Sequence, residues 1–188
     1  MSILNRLQLR LSFPVPSFSK YMLLIWFTFT GFAQTPTAEY KVKAAFVYNL
    51  THFVTWPETE FASPDAPLVI GIYGENPFGY FLEQMIKDEF VQGHELKLQH
   101  ITDIDKAKDC HLLYINVDES KDLQSIITKL KNKRTLTVSD APTFVKIGGM
   151  VRLFTVNDKI NIEINLEEVR CEQLQISAKL LKLAQISD

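Results

Sequence analysis

Along residues 40–57, apolar positions recur at helical intervals. Val42, Phe46, Leu50 and Phe53 form a stripe that Ala45, Val47 and Val54 widen. Thr37 stands where an N-cap belongs, and Pro57 closes the segment. So few polar positions predict a helix laid on a sheet. A membrane-surface helix, the other reading, would carry more cations on its polar face. Leu68–Tyr73 (LVIGIY) is apolar throughout, as a strand buried on both faces is. Phe78–Ile86 reads as a helix with Phe78, Phe81, Leu82 and Met85 apolar. Glu95–Ile101 mostly alternates, so it predicts a half-buried strand. Thr102–Asp109 is polar, a loop or one helical turn. His111–Ile115 is a further buried strand. Ser120–Lys131 is an amphipathic helix carrying Leu123, Ile126, Ile127 and Leu130, and Thr135–Val138 is a fourth strand.

The pattern changes after Ser139. Ala141–Ile147 is a short turn or helix ahead of Gly148-Gly149. Met150–Val156 and Lys159–Ile164 flank Asn157-Asp158, residue types that accept the positive φ of a two-residue hairpin link. Ile160, Ile162 and Ile164 line one face of the second strand; Asn161 and Glu163 line the other. Leu174–Ile176 alternates briefly. Ala178–Ile186 reads as a helix capped by Ser177 that buries Leu180, Leu181 and Ala184. Strands alternating with helices predict an α/β domain. Its sheet is mainly parallel, joined by right-handed crossovers and covered on both faces, with an antiparallel hairpin at one edge.

Residues 1–33 have another character. Arg6, Arg10 and Lys20 precede the uncharged run Tyr21–Ala33, and Gly31 and Ala33 are small residues suited to a cut before Gln34. This is the order of a secretory signal. The run is about 13 residues long, short of the roughly 20 that span a bilayer. No cysteine lies near the cut, so a lipoprotein anchor is not indicated. Residues 34–188 are then expected to form a single domain.

Loss of the signal lowers the 20 cationic residues to 17, against 22 acidic ones. An acidic chain without a Lys/Arg cluster argues against nucleic acid as a partner. A hydrophobic content of 46% supplies a core. Cys110 and Cys171 are the only cysteines. An oxidising compartment allows them to pair, closing a loop of about 60 residues worth up to roughly 4 kcal/mol. The alternative is two buried small apolar side chains.

The stretch IGIYGENPFG (70–79) has the look of a phosphate loop, but its details argue otherwise. Its glycines do not follow the dinucleotide spacing G-x-G-x-x-G, no Gly-Lys-Ser/Thr opens the helix, and Glu75 would repel a phosphate. A strand-to-helix turn accounts for each part. Gly74 permits a sharp exit, Asn76 caps the helix, and Pro77 suits its first position ahead of Phe78 and Gly79. A loop that touches a ligand is the other reading of the same residues.

A receiver-type phosphorylation site needs clustered carboxylates at strand ends. Here the first strand ends in glycines, and only Asp118 and Asp140 follow later strands. His52, His94, His100 and His111 show no zinc spacing. Ser139 lacks a G-x-S-x-G elbow. The residues therefore indicate no enzyme, cofactor or metal, and point to a binding module.

Several segments in order resemble the YfiR family of periplasmic proteins. They are KAAFVYNLTHFVTWP (43–57), IGIYGENPFG, CHLLYI (110–115), TLTVSD (135–140), FVKIGGM (144–150), INIEINL (160–166) and LLKLA (180–184). The resemblance implies a Rossmann-like three-layer sandwich that tends to dimerise, without catalytic residues. It implies a repressor that binds the periplasmic domain of an inner-membrane diguanylate cyclase, or a comparable sensor protein, and holds it inactive. Cyclic di-GMP synthesis and biofilm formation are released when an outer-membrane lipoprotein sequesters the repressor. The family-motif positions of interest are Gly74, Asn76, Pro77, Gly79, Ser139, Asp140, Gly148 and Gly149. Redox tuning through two disulfides cannot transfer, because Cys110 and Cys171 make one bond at most. The alternative is a periplasmic small-molecule sensor that binds an anion near Asn76–Gly79 and Ser139-Asp140.

Overall fold

The computed structural model describes residues 37–117 and 122–187. The expected signal segment and Asp118 lie outside the described residues. The chain runs α1 (Ala38–Phe53), β1 (Val54–Thr55), β2 (Leu68–Gly74), α2 (Phe81–Ile86), β3 (Phe90–Val91), β4 (His94–Ile101) and β5 (Leu112–Asn116). It continues through α3 (Leu123–Leu130), β6 (Leu136–Ser139), β7 (Val151–Val156), β8 (Lys159–Asn165), α4 (Leu166–Cys171), β9 (Gln175–Ile176), α5 (Ala178–Leu181) and β10 (Gln185–Ser187).

Eight strands form one sheet in the order β10-β8-β7-β6-β5-β2-β4-β3. The pairs β4–β2, β2–β5, β5–β6, β6–β7 and β8–β10 are parallel. The β7–β8 hairpin and the β3–β4 pair are antiparallel. This is the expected α/β architecture. Alternation along β5 shows why the sheet needs cover on both faces. Leu112 and Tyr114 join a cluster with Ala44, Val47 and Leu50 of α1; Leu113 and Ile115 join a second cluster with Ile126, Ile127 and Leu130 of α3. Asn157 and Asp158 both take positive φ, 51° and 60°, as the tight β7–β8 link requires.

Two expectations need correcting, and one open alternative is decided. The segment 178–186 is not one helix. Ser177 does cap α5, accepting from the Lys179 N–H, but the helix ends at Leu181. Gln185–Ser187 instead adds to the open edge of β8, where backbone pairing outweighs a helical apolar pattern of only three positions. Leu180 is buried, while Leu181 and Ala184 are partly buried. Secondly, of the loop and the helical turn expected over Thr102–Asp109, the chain takes the helical form. Residues 104–109 form a 3-10 helix capped by Asp103, with Ile104 and Ala107 buried. Thirdly, the buried side of α1 is rotated from the expected stripe. Lys43, Ala44, Val47, Leu50 and Thr51 are buried, whereas Val42 is 47% exposed. Its polar residues, from Glu39 to His52, are spread round the helix, so its pattern alone does not select a face.

Candidate functional site

The chain crosses over β2 between β4 and β5, since β2 pairs with both. In open α/β sheets this switch point, beyond the carboxyl ends of the strands, is where ligands bind. Gly74, Asn116 and Ser139 mark those ends. Here the crevice is stitched shut by the chain itself. The Glu75 N–H donates to the Asn116 carbonyl at 3.0 Å. The Asn116 amide returns a bond to the Glu75 carbonyl at 2.9 Å. The strands approach so closely that a Cβ on Gly74 would lie 1.8 Å from the Asn116 carbonyl oxygen, and Gly74 has a φ of 95°.

Asn76 does not cap α2. Its Oδ1 accepts from the Phe78 N–H and its Nδ2 donates to the Gly79 carbonyl, both at 3.0 Å, closing a turn that contains Pro77. Gly79 takes a φ of 55°, which stops the helix from starting at Phe78. The helix begins at Phe81 instead, with no side-chain cap at Tyr80. Phe78 is still fully buried.

Ser139 and Asp140 are likewise used internally. The Ser139 hydroxyl donates to the Ile115 carbonyl at 2.7 Å. Asp140 accepts from Lys43 Nζ at 2.8 Å and from the Tyr40 hydroxyl at 3.0 Å. Lys43 projects from the buried side of α1, also pairs with Glu39 at 2.8 Å, and lies over the Tyr40 ring. Glu39 in turn accepts from the Thr155 hydroxyl of β7 at 2.8 Å. The bonds from Lys43 and Thr155 hold the Glu39 carboxyl below its ordinary pKa. Burial, and then the Asp140 charge, push the Tyr40 hydroxyl up to about 12. Tyr114, fully buried nearby, is raised by the same two causes, and its hydroxyl makes no hydrogen bond of normal geometry. The partners of Asp140 were legible only as an oddity: Lys43 is a cation among apolar neighbours on α1.

Gly148 ends the 3-10 turn at residues 145–147 with a φ of 93°. Gly149 lies beneath the Phe144 ring, where a Cβ would come within 2.4 Å of it. Cys110 and Cys171 are free thiols, so the disulfide is not formed in this structure. Cys110 is buried on the sheet, in the space that Gly71 leaves open, while Cys171 is exposed at the end of α4.

The sequence pattern did not show an apolar groove along the sheet edge. Phe46, Leu50 and Phe53 of α1, Ile160 and Ile162 of β8, and Leu180 of α5 line a hollow of about 500 Å³. Leu183 at its rim is 78% exposed. A second hollow of about 570 Å³ shares Phe46 and Ile160 and continues past Val42 to Lys159. β10 covers only Glu163–Asn165 of β8. Among the described residues, no strand pairs with the outer side of Lys159–Ile162. No helix among the described residues is long and apolar enough to cross a membrane.

Residues 40–185 match the YfiR/HmsC-like family. The chain belongs to that family. No curated protein matches the sequence. Among solved structures, a conserved domain protein from Vibrio cholerae O1 biovar El Tor is similar in fold. It has a TM-score of 0.52 at 12% identity, over 79% of this chain and 60% of its own. The ABC domain in complex with L-Trp from Streptococcus pneumonia matches at a TM-score of 0.45 and 11% identity, over 63% of this chain and 55% of its own. The chain thus spans little more than half the length of either.

Proposed function

We propose that this chain is a non-enzymatic periplasmic regulator that restrains an inner-membrane diguanylate cyclase by protein–protein contact through the α1–β8–α5 groove. The observation that carries this reading is the groove itself. It is an apolar hollow lined in part by exposed Val42 and Leu183, beside a half-open strand edge. Large apolar side chains left in water over a connected area mark an interaction surface. An exposed β-edge offers backbone pairing to an extended partner segment. Competition by an outer-membrane lipoprotein and homodimerisation belong to the same reading, because either would use an apolar face of this kind. The anion-sensor alternative near Asn76–Gly79 and Ser139-Asp140 is disfavoured, since those groups bond to one another, to the Ile115 carbonyl or to α1.

The test is Leu183→Asp with Val42→Asp, two exposed positions that leave the core intact. The doubly substituted protein should remain folded, lose co-purification with the membrane cyclase, and raise cellular cyclic di-GMP to the level of a deletion strain. A deletion that leaves cyclic di-GMP unchanged overturns the regulatory role. A folded variant that still represses fully overturns the groove as the contact face.

A further inference from the structure

At the opposite pole, the N-terminal ends of β2, β5 and β6 surround a pocket of about 260 Å³. Glu60, Lys108, Asp109, His111, Lys133 and Arg134 line it. Arg134 is paired with Glu60. Lys108 and Lys133 are exposed and have no carboxylate partner among the described residues. Asp109 is then the only acid in the lining without a cation of its own among the described residues.

His111 supplies the independent observation. Its ring is buried, with 8% of the residue exposed. The Val69 N–H donates to Nδ1 at 3.1 Å, which places the ring proton on Nε2. That N–H is buried and makes no hydrogen bond of normal geometry. The Glu60 main chain offers the ring an acceptor only outside that geometry. Phe61 fixes the ring by stacking on it at 4.5 Å and on His94 at 3.6 Å. An unmet buried donor is costly, so natural structures seldom keep one without a use.

The loop that carries the pocket's cations already has a carboxylate bound on its other side. Glu172, itself buried, accepts from the Asn132 N–H at 2.6 Å and the Arg134 N–H at 2.8 Å. Asn132 and Arg134 both take positive φ, 61° and 52°, and these two bonds hold them there. Lys133 and Arg134 are therefore presented from a fixed loop.

We propose that this pocket binds a small oxyanion, a carboxylate or phosphate group, between the Lys108 and Lys133 ammoniums with the His111 Nε2–H as a directed donor. Of the lining groups without a partner, Lys108, Lys133 and the His111 Nε2–H are donors and Asp109 alone is an acceptor; an anion held away from Asp109 satisfies the three donors together. A metal ion would need lone pairs, and no cluster of three metal-ligating side chains exists among the described residues. Volume sets the size class. Sites for drug-sized ligands run from about 300 Å³ upward. The pocket admits a small acid or inorganic phosphate and is too small for a cyclic dinucleotide.

The experiment is an NMR titration of the purified full chain at neutral pH, with inorganic phosphate in one arm and succinate in the other. Saturable shifts are expected at the Lys133 and Arg134 amides and the His111 imidazole. Lys108→Gln with Lys133→Gln should weaken binding at least tenfold, and Lys108→Arg with Lys133→Arg should retain it. Both positions are exposed, so neither pair threatens folding. Saturation in only one arm assigns the headgroup. Shifts that never saturate in either arm, or that persist unchanged in the Gln pair, overturn the site.

Discussion

The Lys43 ammonium meets the Asp140 carboxylate at 2.8 Å, with the lysine side chain 4% exposed and the carboxylate side chain 20% exposed. The two residues are 97 positions apart and join α1 to the end of β6. A buried pair of this kind contributes little relative to a well-packed apolar pair, but removing one partner strands the other. Lys43→Met should therefore destabilise the fold by about 3–5 kcal/mol. Lys43→Met with Asp140→Leu should recover most of that loss. Urea denaturation of the two variants checks the cycle; equal losses would mean that Asp140 is held by Tyr40 alone.

Two glycines separate backbone strain from steric exclusion. Gly93 has a φ of 91° and open space around its Cβ position, whereas Gly74 combines a φ of 95° with a backbone oxygen 1.8 Å away. Gly93→Ala should cost about 1–2 kcal/mol, the ordinary penalty for a left-handed residue. Gly74→Ala should cost well beyond that, because β2 and β5 must part to admit the methyl group. Thermal melting of the two proteins side by side tests the contrast.

Acid should weaken the protein through His111. Burial, and then the neighbouring His94, lower its pKa from 6.5 to about 4. Below pH 6.5 the unfolded chain takes up a proton that the folded chain refuses, so stability falls as the pH drops from 6.5 toward 4. The full effect of this one group is about 3 kcal/mol. His111→Gln should flatten that part of the stability–pH curve.

The cysteines should differ in reactivity. Burial pushes the Cys110 thiol up to about 12, while Cys171 is exposed. A maleimide should label Cys171 in the native protein and Cys110 only after unfolding. Mass spectrometry distinguishes this outcome from a disulfide, which would leave no labelled site in either condition.

The strands were legible because a parallel sheet covered on both faces requires unbroken apolar runs, and LVIGIY and HLLYI are such runs. Thr37 and Ser177 were legible as caps because their chemistry is local. The misread elements depended on distant partners. Gln185–Ser187 is a strand only because β8 leaves an edge to fill. Asn76 serves a turn, not a helix, because Gly79 takes a positive φ that no pattern displays. α4 was missed altogether. It follows β8 without a break, and Asn165 caps it by accepting from the Glu168 N–H. The candidate site was least visible. Asp140 could be named from its place after a strand, but Lys43 and Tyr40 reach it from the first helix, and the groove arises only where three separate segments meet.

The chain of contacts Thr155–Glu39–Lys43–Asp140 fastens the hairpin, the first helix and the central sheet together along the groove's rim. The receptor side of any docking event is thereby assembled in advance. The entropy lost on association then falls chiefly on the incoming segment. Stiffening that segment should tighten binding more than adding further contacts to the groove.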